Sequence, residues 1–439
     1  GCTGWGWPNM KAAFKAIEDH ELGASDSRGE GGPVTISAGR FTYPLAEDMI
    51  AAGEQMGLIR TEDLNAEPGA RVGYYSHNIR RGRRVSAARA FLQPARQRPN
   101  LRVLTDATVR RVIFEGNRAV GVEVDVAAQR HVFRCSAEVI LSAGAMESPR
   151  LLQLSGIGPE PLLAKAGVPL VHHSPDVGQR MREHLSFAMP FRINSSGGSH
   201  RAFFGLGLIR SLFQYQFFGS GAMATGPFEV GAFARIGESN EVPGTNDSSS
   251  PNLQLYLGGY TFALSDDNHP VPLANMGREP GLSIYGQLLQ LTSEGCISIR
   301  SADPCVAATI EPNWLATDED CRMAIATVRY MRAYASQPAL SRHIVSELLP
   351  GESCQTDEDI LAAFRKLATC GLHATGTCRM GADEAAVLDP RLRVRGVDCL
   401  RVVDCSAMPG LISGNTNAPA MALAYRAADL ILEDRKGQP

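Results

Sequence analysis

Apolar residues recur at helical spacing in several parts of the chain. They predict helices over residues 8–18, 45–56, 317–334, 356–368 and 418–433. In each stretch the apolar side chains stand three or four residues apart, which places them on one helix face. Thr317 and Thr356 occupy expected N-cap positions, and Asn417 precedes the last helix with Pro419 in its first turn. We therefore expect five well-defined helices.

Strand patterns dominate between residues 101 and 142. Runs of β-branched and apolar residues predict strands at 101–104, 108–114, 119–124, 132–134 and 138–142. Gly116-Asn117 predicts a hairpin turn. The last strand leads into Ala143-Gly144-Ala145 and then Ser148-Pro149, an order typical of strand-to-helix connections in α/β folds. Residues 282–291 and 296–299 alternate as strands of an antiparallel sheet do.

An α/β pattern is followed along the chain by an antiparallel block and then by an α/β pattern again. This order predicts an α/β plus α+β fold. We expect the chain to leave its first domain and return to it. The predicted domains are a first domain formed by residues 96–185 and 385–439, and a second formed by residues 186–384. Residues 1–95 form the remainder of the N-terminal region.

The stretch from residue 194 to residue 250 is irregular and rich in aromatic residues. The aromatic cluster consists of Phe203, Phe204, Phe213, Tyr215, Phe217 and Phe218. It either lines a substrate pocket or forms part of the hydrophobic core, and we favour the core. Glu229 follows, and either faces the substrate or has a structural role. The arginine-rich stretch 79–98 lacks interleaved aromatic residues, so we interpret it as a solvated surface rather than a nucleic-acid site.

Composition narrows the class of protein. With 44% hydrophobic and 20% charged residues, a chain of 439 residues can bury a large core. A net charge of −3 demands neither nucleic acid nor an anionic membrane as partner. The ten cysteines form no C-x-x-C pair, so we expect reduced thiols and a cytoplasmic location. No apolar run reaches membrane-spanning length, so no transmembrane segment is expected.

The C-terminal third carries the candidate chemistry. The last helix starts at Gly414-Asn-Thr-Asn417, where free N–H groups and the positive helix end suit an anion; the alternative is simply a well-capped helix. The apolar strand at 400–404 ends in Asp404. Ligands bind beyond the carboxyl ends of parallel strands, so this carboxylate can accept hydrogen bonds from a sugar or ribityl hydroxyl. The alternative is that it caps the turn.

His373 lies among small and polar residues and is the candidate proton-transfer group. A structural role is the alternative. The chain contains neither G-x-S-x-G nor H-E-x-x-H, and the adjacent His172 and His173 would point apart on a strand. Hydrolase and metalloenzyme functions therefore lose support, and we expect no metal.

These residues resemble one known family, the glucose-methanol-choline (GMC) oxidoreductases, and most nearly its choline dehydrogenase-like branch. The resemblance rests on His373-Ala-Thr-Gly-Thr-Cys-Arg-Met-Gly381, Leu400-Arg-Val-Val-Asp404, Asn415-Thr-Asn-Ala-Pro419 and the block from Gly144 to Gly158. The segment Val177-Gly-Gln-Arg-Met-Arg-Glu-His184 is similar to a further family element, with Arg180 in place of Asn and Glu183 in place of Asp.

The resemblance implies an FAD-dependent alcohol dehydrogenase or oxidase, with a Rossmann-like flavin domain and an antiparallel-sheet substrate domain. His373 would accept the hydroxyl proton of a small-molecule alcohol, and Asn415 would hold the same oxygen. The positions matching the family's cofactor contacts are Val109, Ala143, Gly144, Asp404, Cys405, Thr416 and Asn417. No motif specifies the electron acceptor, which is oxygen, a quinone or a dye.

One family feature is absent from the chain, the opening strand with its G-x-G-x-x-G turn. We therefore expect about a hundred residues, including the first βαβ unit, to be missing from the N-terminus. The resulting expectation is an incomplete flavin domain and a fragment that binds FAD weakly. The alternatives are a family member with lyase-type chemistry and a non-catalytic member. Aldehyde formation from an alcohol with a dye acceptor would separate the oxidoreductase from the lyase.

Overall fold

The computed structural model describes residues 1–39, 41–66, 68–194, 197–237, 250–264 and 275–436. Its α-helices are α1 (Trp7–Ile17), α2 (Pro44–Gln55), α3 (Gln93–Ala95), α4 (Gly144–Leu154), α5 (Glu160–Ala166), α6 (Gly205–Phe218), α7 (Asp318–Ala335), α8 (Pro338–Ser341), α9 (Asp357–Leu367) and α10 (Asn417–Lys436). Short helical turns of other types lie at Ala88–Leu92, His200–Phe203, Ala222–Ala224 and Cys405–Ala407.

The strands of the described residues are mostly short. They are β1 (Glu18–His20), β2 (Val34–Ile36), β3 (Ile59–Arg60), β4 (Arg71–Tyr74), β5 (Ile79–Arg80), β6 (Arg83–Arg84), β7 (Ala107–Glu115), β8 (Arg118–Val126), β9 (Gln129–Arg134), β10 (Val139–Leu141), β11 (Ile157–Gly158), β12 (His172–His173), β13 (Leu185–Ile193), β14 (Val230–Ala234), β15 (Leu253–Gly258), β16 (Gly281–Leu288), β17 (Cys296–Ser298), β18 (Thr309–Glu311), β19 (Ile344–Glu347), β20 (Thr369–Cys370) and β21 (Leu400–Val402).

The largest sheet has eight strands in the order β19-β13-β16-β15-β14-β4-β3, with β20 pairing beside β13. Its central pairs are antiparallel, and only β3 and β4 run parallel. Helices α2, α7 and α9 cover one face: the Phe187 and Phe364 rings stack with centroids 4.8 Å apart. The Tyr334 hydroxyl donates to the carbonyl oxygen of Met49 at 2.7 Å, which ties α7 to α2.

A second cluster of buried residues has α/β character. Strand β10 pairs in parallel with β21, with Ile140 opposite Arg401, although 260 residues of chain separate them. Helix α4 follows β10, and α10 begins shortly after β21. The three-stranded antiparallel sheet β7-β8-β9 packs beside this pair. The carboxyl ends of β10 and β21 therefore lie side by side.

The α/β plus α+β class and the antiparallel sheet are confirmed. The predicted helices appear as α1, α2, α7, α9 and α10, and the predicted hairpin as β7 and β8. The Thr317 side chain accepts from the Asp320 N–H, and Thr356 forms a reciprocal capping box with Asp359. The incomplete Rossmann-like domain and the domain boundaries at 95, 185 and 385 stay predictions.

Three sequence predictions were wrong. Residues 101–104 do not form a strand, because no neighbouring strand pairs with them in the described structure. The stretch from residue 194 to residue 250 is not irregular throughout, since it contains helix α6 and strand β14. The aromatic cluster at 203–218 is not core: Phe213, Phe217 and Phe218 are exposed on α6.

Two further properties concern membrane-spanning helices and disulfide bonds. None of the described helices is both long and apolar enough to cross a lipid bilayer. None of the ten cysteines forms a disulfide.

Candidate active site

His373 lies in the loop after β20, held by its backbone. Its N–H donates to Glu183 Oε1 at 2.7 Å, and the preceding Leu372 adopts a left-handed conformation with φ of 62°. Glu183 stands at the end of the segment that enters β13. The Glu183 carboxylate therefore fixes the position of a histidine that lies 190 residues later.

A first hydrogen-bond chain sets the proton arrangement of His373. His184 Nε2 lies 2.9 Å from the carbonyl oxygen of Ile412, which can only accept, so this nitrogen carries the proton. A neutral His184 must then accept at Nδ1, which lies 3.0 Å from His373 Nδ1. His373 therefore donates from Nδ1, and its Nε2 keeps a free lone pair.

A second chain reaches the same nitrogen from another backbone carbonyl. The Tyr75 hydroxyl donates to the Leu255 carbonyl oxygen at 2.9 Å and accepts from Gln254 Nε2 at 2.9 Å. Gln254 Nε2 also donates to Asn415 Oδ1 at 3.2 Å, which orients the Asn415 amide. Asn415 Nδ2 then faces His373 Nε2 at 3.4 Å as a donor. Both chains leave Nε2 of His373 unprotonated.

Burial keeps both imidazoles neutral. Desolvation lowers the pKa of His373 to about 4. Desolvation, reinforced by the neighbouring His373, lowers the pKa of His184 to about 4 as well. Desolvation raises the pKa of Glu183 to about 7, although the backbone N–H groups that donate to its carboxylate act to lower it. Near neutral pH the site thus holds an uncharged histidine whose free nitrogen faces an amide donor.

Asn415 has one further partner, an aromatic one. Its Nδ2 donates to the Tyr256 hydroxyl at 2.9 Å, and burial raises the pKa of that tyrosine to about 12. The Tyr256 ring packs on Phe228 with centroids 5.6 Å apart, and Phe228 meets Tyr285 edge-on at 5.0 Å. An aromatic wall therefore adjoins the His373–Asn415 pair.

Four of the predicted cofactor positions meet at the carboxyl ends of β10 and β21. Ala143 and Gly144 follow β10, and Asp404 and Cys405 follow β21. The Gly144 N–H donates to Asp404 Oδ2 at 2.9 Å, so the two turns are in contact. Gly144 has φ of +87°, and a Cβ added there would meet no atom within 4 Å. The turn therefore leaves open space beside the helix start.

Asp404 is fully engaged within the protein. Its Oδ2 accepts from Gly144 and from the Ser148 hydroxyl at 2.5 Å, and its Oδ1 accepts from the Ser406 N–H at 2.8 Å and hydroxyl at 2.5 Å. These bonds fill the four acceptor positions of a carboxylate. Of the two sequence interpretations, this geometry favours the turn cap.

The remaining predicted cofactor positions lie on either side of these turns. Val109, half-buried in β7, lines a cleft of about 420 Å³ together with Ala143 and the exposed edge of β10. Thr416 is buried and accepts from the Ala420 N–H at 2.9 Å, and Asn417 is the exposed first residue of α10. Asn415 directly precedes them, which connects the helix start to His373.

The sequence does not identify His184 or the glutamine pair that supports it as part of the site. His184 stands there only as the last residue of a family motif. Gln287 Nε2 lies 3.4 Å from His184 Nδ1 and 3.4 Å from Gln254 Oε1, so it joins the two chains. The alternation of polar residues among buried ones on β15 and β16 was the available signal. Glu229, for which the sequence allows either role, is buried and accepts from the Tyr43 hydroxyl at 2.9 Å, a structural contact.

A neutral histidine that faces the Asn415 amide, two residues before α10 begins, is the kind of site with which an enzyme moves a proton at its substrate. Comparison with known proteins also indicates an enzyme. The N-terminal and C-terminal GMC oxidoreductase models match residues 1–186 and 292–424. The mitochondrial choline dehydrogenase of Homo sapiens is 37% identical over 451 residues, which cover 100% of this chain and 71% of the relative.

Two further comparisons agree. An alcohol dehydrogenase [acceptor] from Pseudomonas putida is 35% identical, covering 98% of this chain and 76% of the relative. Pyridoxine 4-oxidase from Mesorbium loti superimposes with a TM-score of 0.84 at 30% identity, over 98% of this chain and 78% of that structure. The chain belongs to the GMC oxidoreductase family, and it is an FAD-dependent oxidoreductase that acts on CH–OH groups.

The residues present fit FAD at two places. The space beside Gly144 and the cleft at Val109 leave room for a ligand at the β10 edge. The start of α10 is exposed at Asn417, and a Cβ at Gly414 would also meet no atom within 4 Å. Backbone N–H groups at such a helix start stabilise anionic ligand groups.

Proposed function

We propose that this protein is an alcohol dehydrogenase or oxidase that converts an alcohol to an aldehyde or ketone, with His373 as the base. The observation that carries the proposal is the free Nε2 of His373, which faces Asn415 Nδ2 at 3.4 Å. Two hydrogen-bond chains from separate backbone carbonyls support the same protonation state.

His373 accepts the hydroxyl proton of the alcohol at Nε2. A low pKa keeps this nitrogen unprotonated at neutral pH, so the base is ready whenever substrate binds. The imidazolium that forms keeps its Nδ1–H bond to His184, and the Glu183 carboxylate receives the adjacent backbone N–H. FAD, when bound, supplies the acceptor for the hydride that leaves the alcohol carbon.

Asn415 positions the substrate oxygen. Its Nδ2 donor lies next to the base, and Gln254 and Tyr256 hold the amide in one orientation. A donor and an acceptor placed side by side bind a hydroxyl group in one rotational state, which reduces the entropy cost of reaching the reactive geometry. The aromatic wall at Tyr256 and Phe228 packs against the non-reacting part of the alcohol.

The predicted cofactor positions act as two groups. Val109 and Ala143 line the cleft, with open space beside the adjacent Gly144, and Thr416 and Asn417 present the start of α10. Asp404 and Cys405 shape the turn between them, and the Asp404 carboxylate holds the Gly144 N–H in place rather than binding the cofactor itself. On this proposal the sheet centred on β13 to β16 supplies the substrate side of the site, and the β10–β21 pair supplies the flavin side.

The test is a substrate panel with the flavin-loaded protein and a dye acceptor. The panel contains straight-chain primary alcohols and choline, the substrate in the name of the human relative. We expect dye reduction with matching carbonyl product for at least one alcohol. Protein that retains its flavin but oxidises no alcohol on the panel, or releases a carbonyl without reducing dye, contradicts the proposal.

A further inference from the structure

Helix α6 is oriented with its apolar face toward solvent. Leu206 is 84% exposed, Ile209 63% and Phe217 68%, and Phe213 lies between them on the same stripe. The opposite face carries the buried Ser211. An ordinary surface helix has the reverse arrangement, with its apolar stripe against the core.

Few of the residues that the structure describes cover this helix. Among the described residues it packs mainly against the two short helical turns at its ends, His200–Phe203 and Ala222–Ala224. The third neighbour is the β5–β6 hairpin. A methyl group added to Gly82 in the hairpin turn would lie 3.1 Å from the carbonyl oxygen of Gly219 and from the Tyr215 ring.

The hairpin places positive charge beside the apolar stripe. Its four arginines, Arg80, Arg81, Arg83 and Arg84, are all exposed. The sequence contains no Asp or Glu between residues 68 and 105, and none between residues 185 and 228. Both the hairpin and α6 lie within these stretches, so every formally charged residue that either segment contributes is a cation.

We propose that this face, the α6 stripe with the arginine hairpin, docks on the surface of an anionic lipid bilayer. A helix with large apolar residues on one side and basic residues nearby binds in the interface by burying its apolar side among the acyl chains. Anionic headgroups attract the adjacent arginines. At 14 residues α6 is too short to span a bilayer, so it lies along the surface.

Charge also argues against a second copy as the partner. A two-fold dimer joins the same surface patch of both subunits, so it would bring two purely cationic faces together. A bilayer with acidic lipids instead offers an apolar layer bordered by negative charge, which complements both parts of the face. The net charge of −3 for the whole chain conceals this local excess of cations.

Vesicle sedimentation tests the proposal. The flavin-loaded chain is mixed with vesicles of phosphatidylcholine alone, or of equal parts phosphatidylcholine and phosphatidylserine. We expect binding to the mixed vesicles, weakened by added salt, and little binding to the neutral ones. Phe213→Ser with Phe217→Ser should abolish binding, and Arg81→Gln with Arg83→Gln should weaken it about fivefold for each charge removed.

Matched variants outside the face are the controls. Ile59→Ser with Val345→Ser removes exposed apolar residues elsewhere, and Arg365→Gln with Lys366→Gln removes two exposed cations of α9; both should bind as the wild type does. Three results would each overturn the proposal: no difference between the two vesicle types, full binding by the double phenylalanine variant, or a stable dimer in solution that the phenylalanine variant disrupts. Thermal unfolding and flavin content verify that each variant is folded.

Discussion

His184 offers the sharpest test of the site, because it acts through another residue. His184→Leu removes the acceptor for His373 Nδ1–H and leaves that buried donor unpaired. Such a loss costs about 1–3 kcal/mol, or roughly a 5- to 150-fold change in population. The weaker contact at 3.4 Å from Asn415 is then the main support for the productive tautomer. We expect kcat to fall by about 10- to 100-fold.

His184→Asn is the informative companion. Its amide oxygen can take the place of Nδ1 as an acceptor, so part of the lost kcat should return. Nitrogen NMR of the His373 ring reports the tautomer directly, and His131→Leu, an exposed histidine of β9, is the control for the substitution itself. Wild-type kcat and an unchanged His373 tautomer in folded, flavin-loaded His184→Leu would refute the relay.

The other predictions concern charge, cofactor space and stability. Asn415→Asp places a carboxylate beside the His373 imidazole and raises the pKa of that imidazole. The acid limb of kcat/KM should therefore move up by about 1–3 pH units, and an unmoved limb contradicts the pairing of the two residues. Gly144→Ala should lower the free energy of unfolding by about 1–2 kcal/mol and also weaken flavin retention. The control Gly116→Ala, at φ of +61° in the β7–β8 turn, should lower stability alone. Equal flavin content in both variants would argue against a cofactor at Gly144. Thr356→Ala should lower the free energy of unfolding by about 1 kcal/mol in denaturant titrations, with its exposed neighbour Gln355→Ala as control and kcat unchanged.

Local patterns predicted local structure well. Helix caps at Thr317 and Thr356 and the Gly116-Asn117 turn depend on residues only a few positions apart, and all three appear as expected. The His373–Asn415 pair was also predicted, through the family motif that contains both residues. The contact at 3.4 Å joins two loops whose residues lie 42 positions apart in the chain.

Long-range contacts explain what the sequence argument missed. His184 owes its role to the carbonyl of Ile412, 228 residues away, and no local pattern encodes that contact. Asp404 was ambiguous for the same reason, because Gly144 and Ser148 reach it from another strand. The aromatic residues of α6 stand out in the sequence, but they predict core in an irregular stretch, because only tertiary packing determines which side of a helix the protein covers.

The central claim is that His373 takes the proton that makes alcohol oxidation possible. The most direct measurement is the anaerobic rate at which an alcohol bleaches the flavin absorbance of the wild type and of His373→Gln, each with its cofactor bound. We predict that the variant bleaches about 10²–10⁴-fold more slowly. A variant that retains its flavin and bleaches at the wild-type rate would contradict the account.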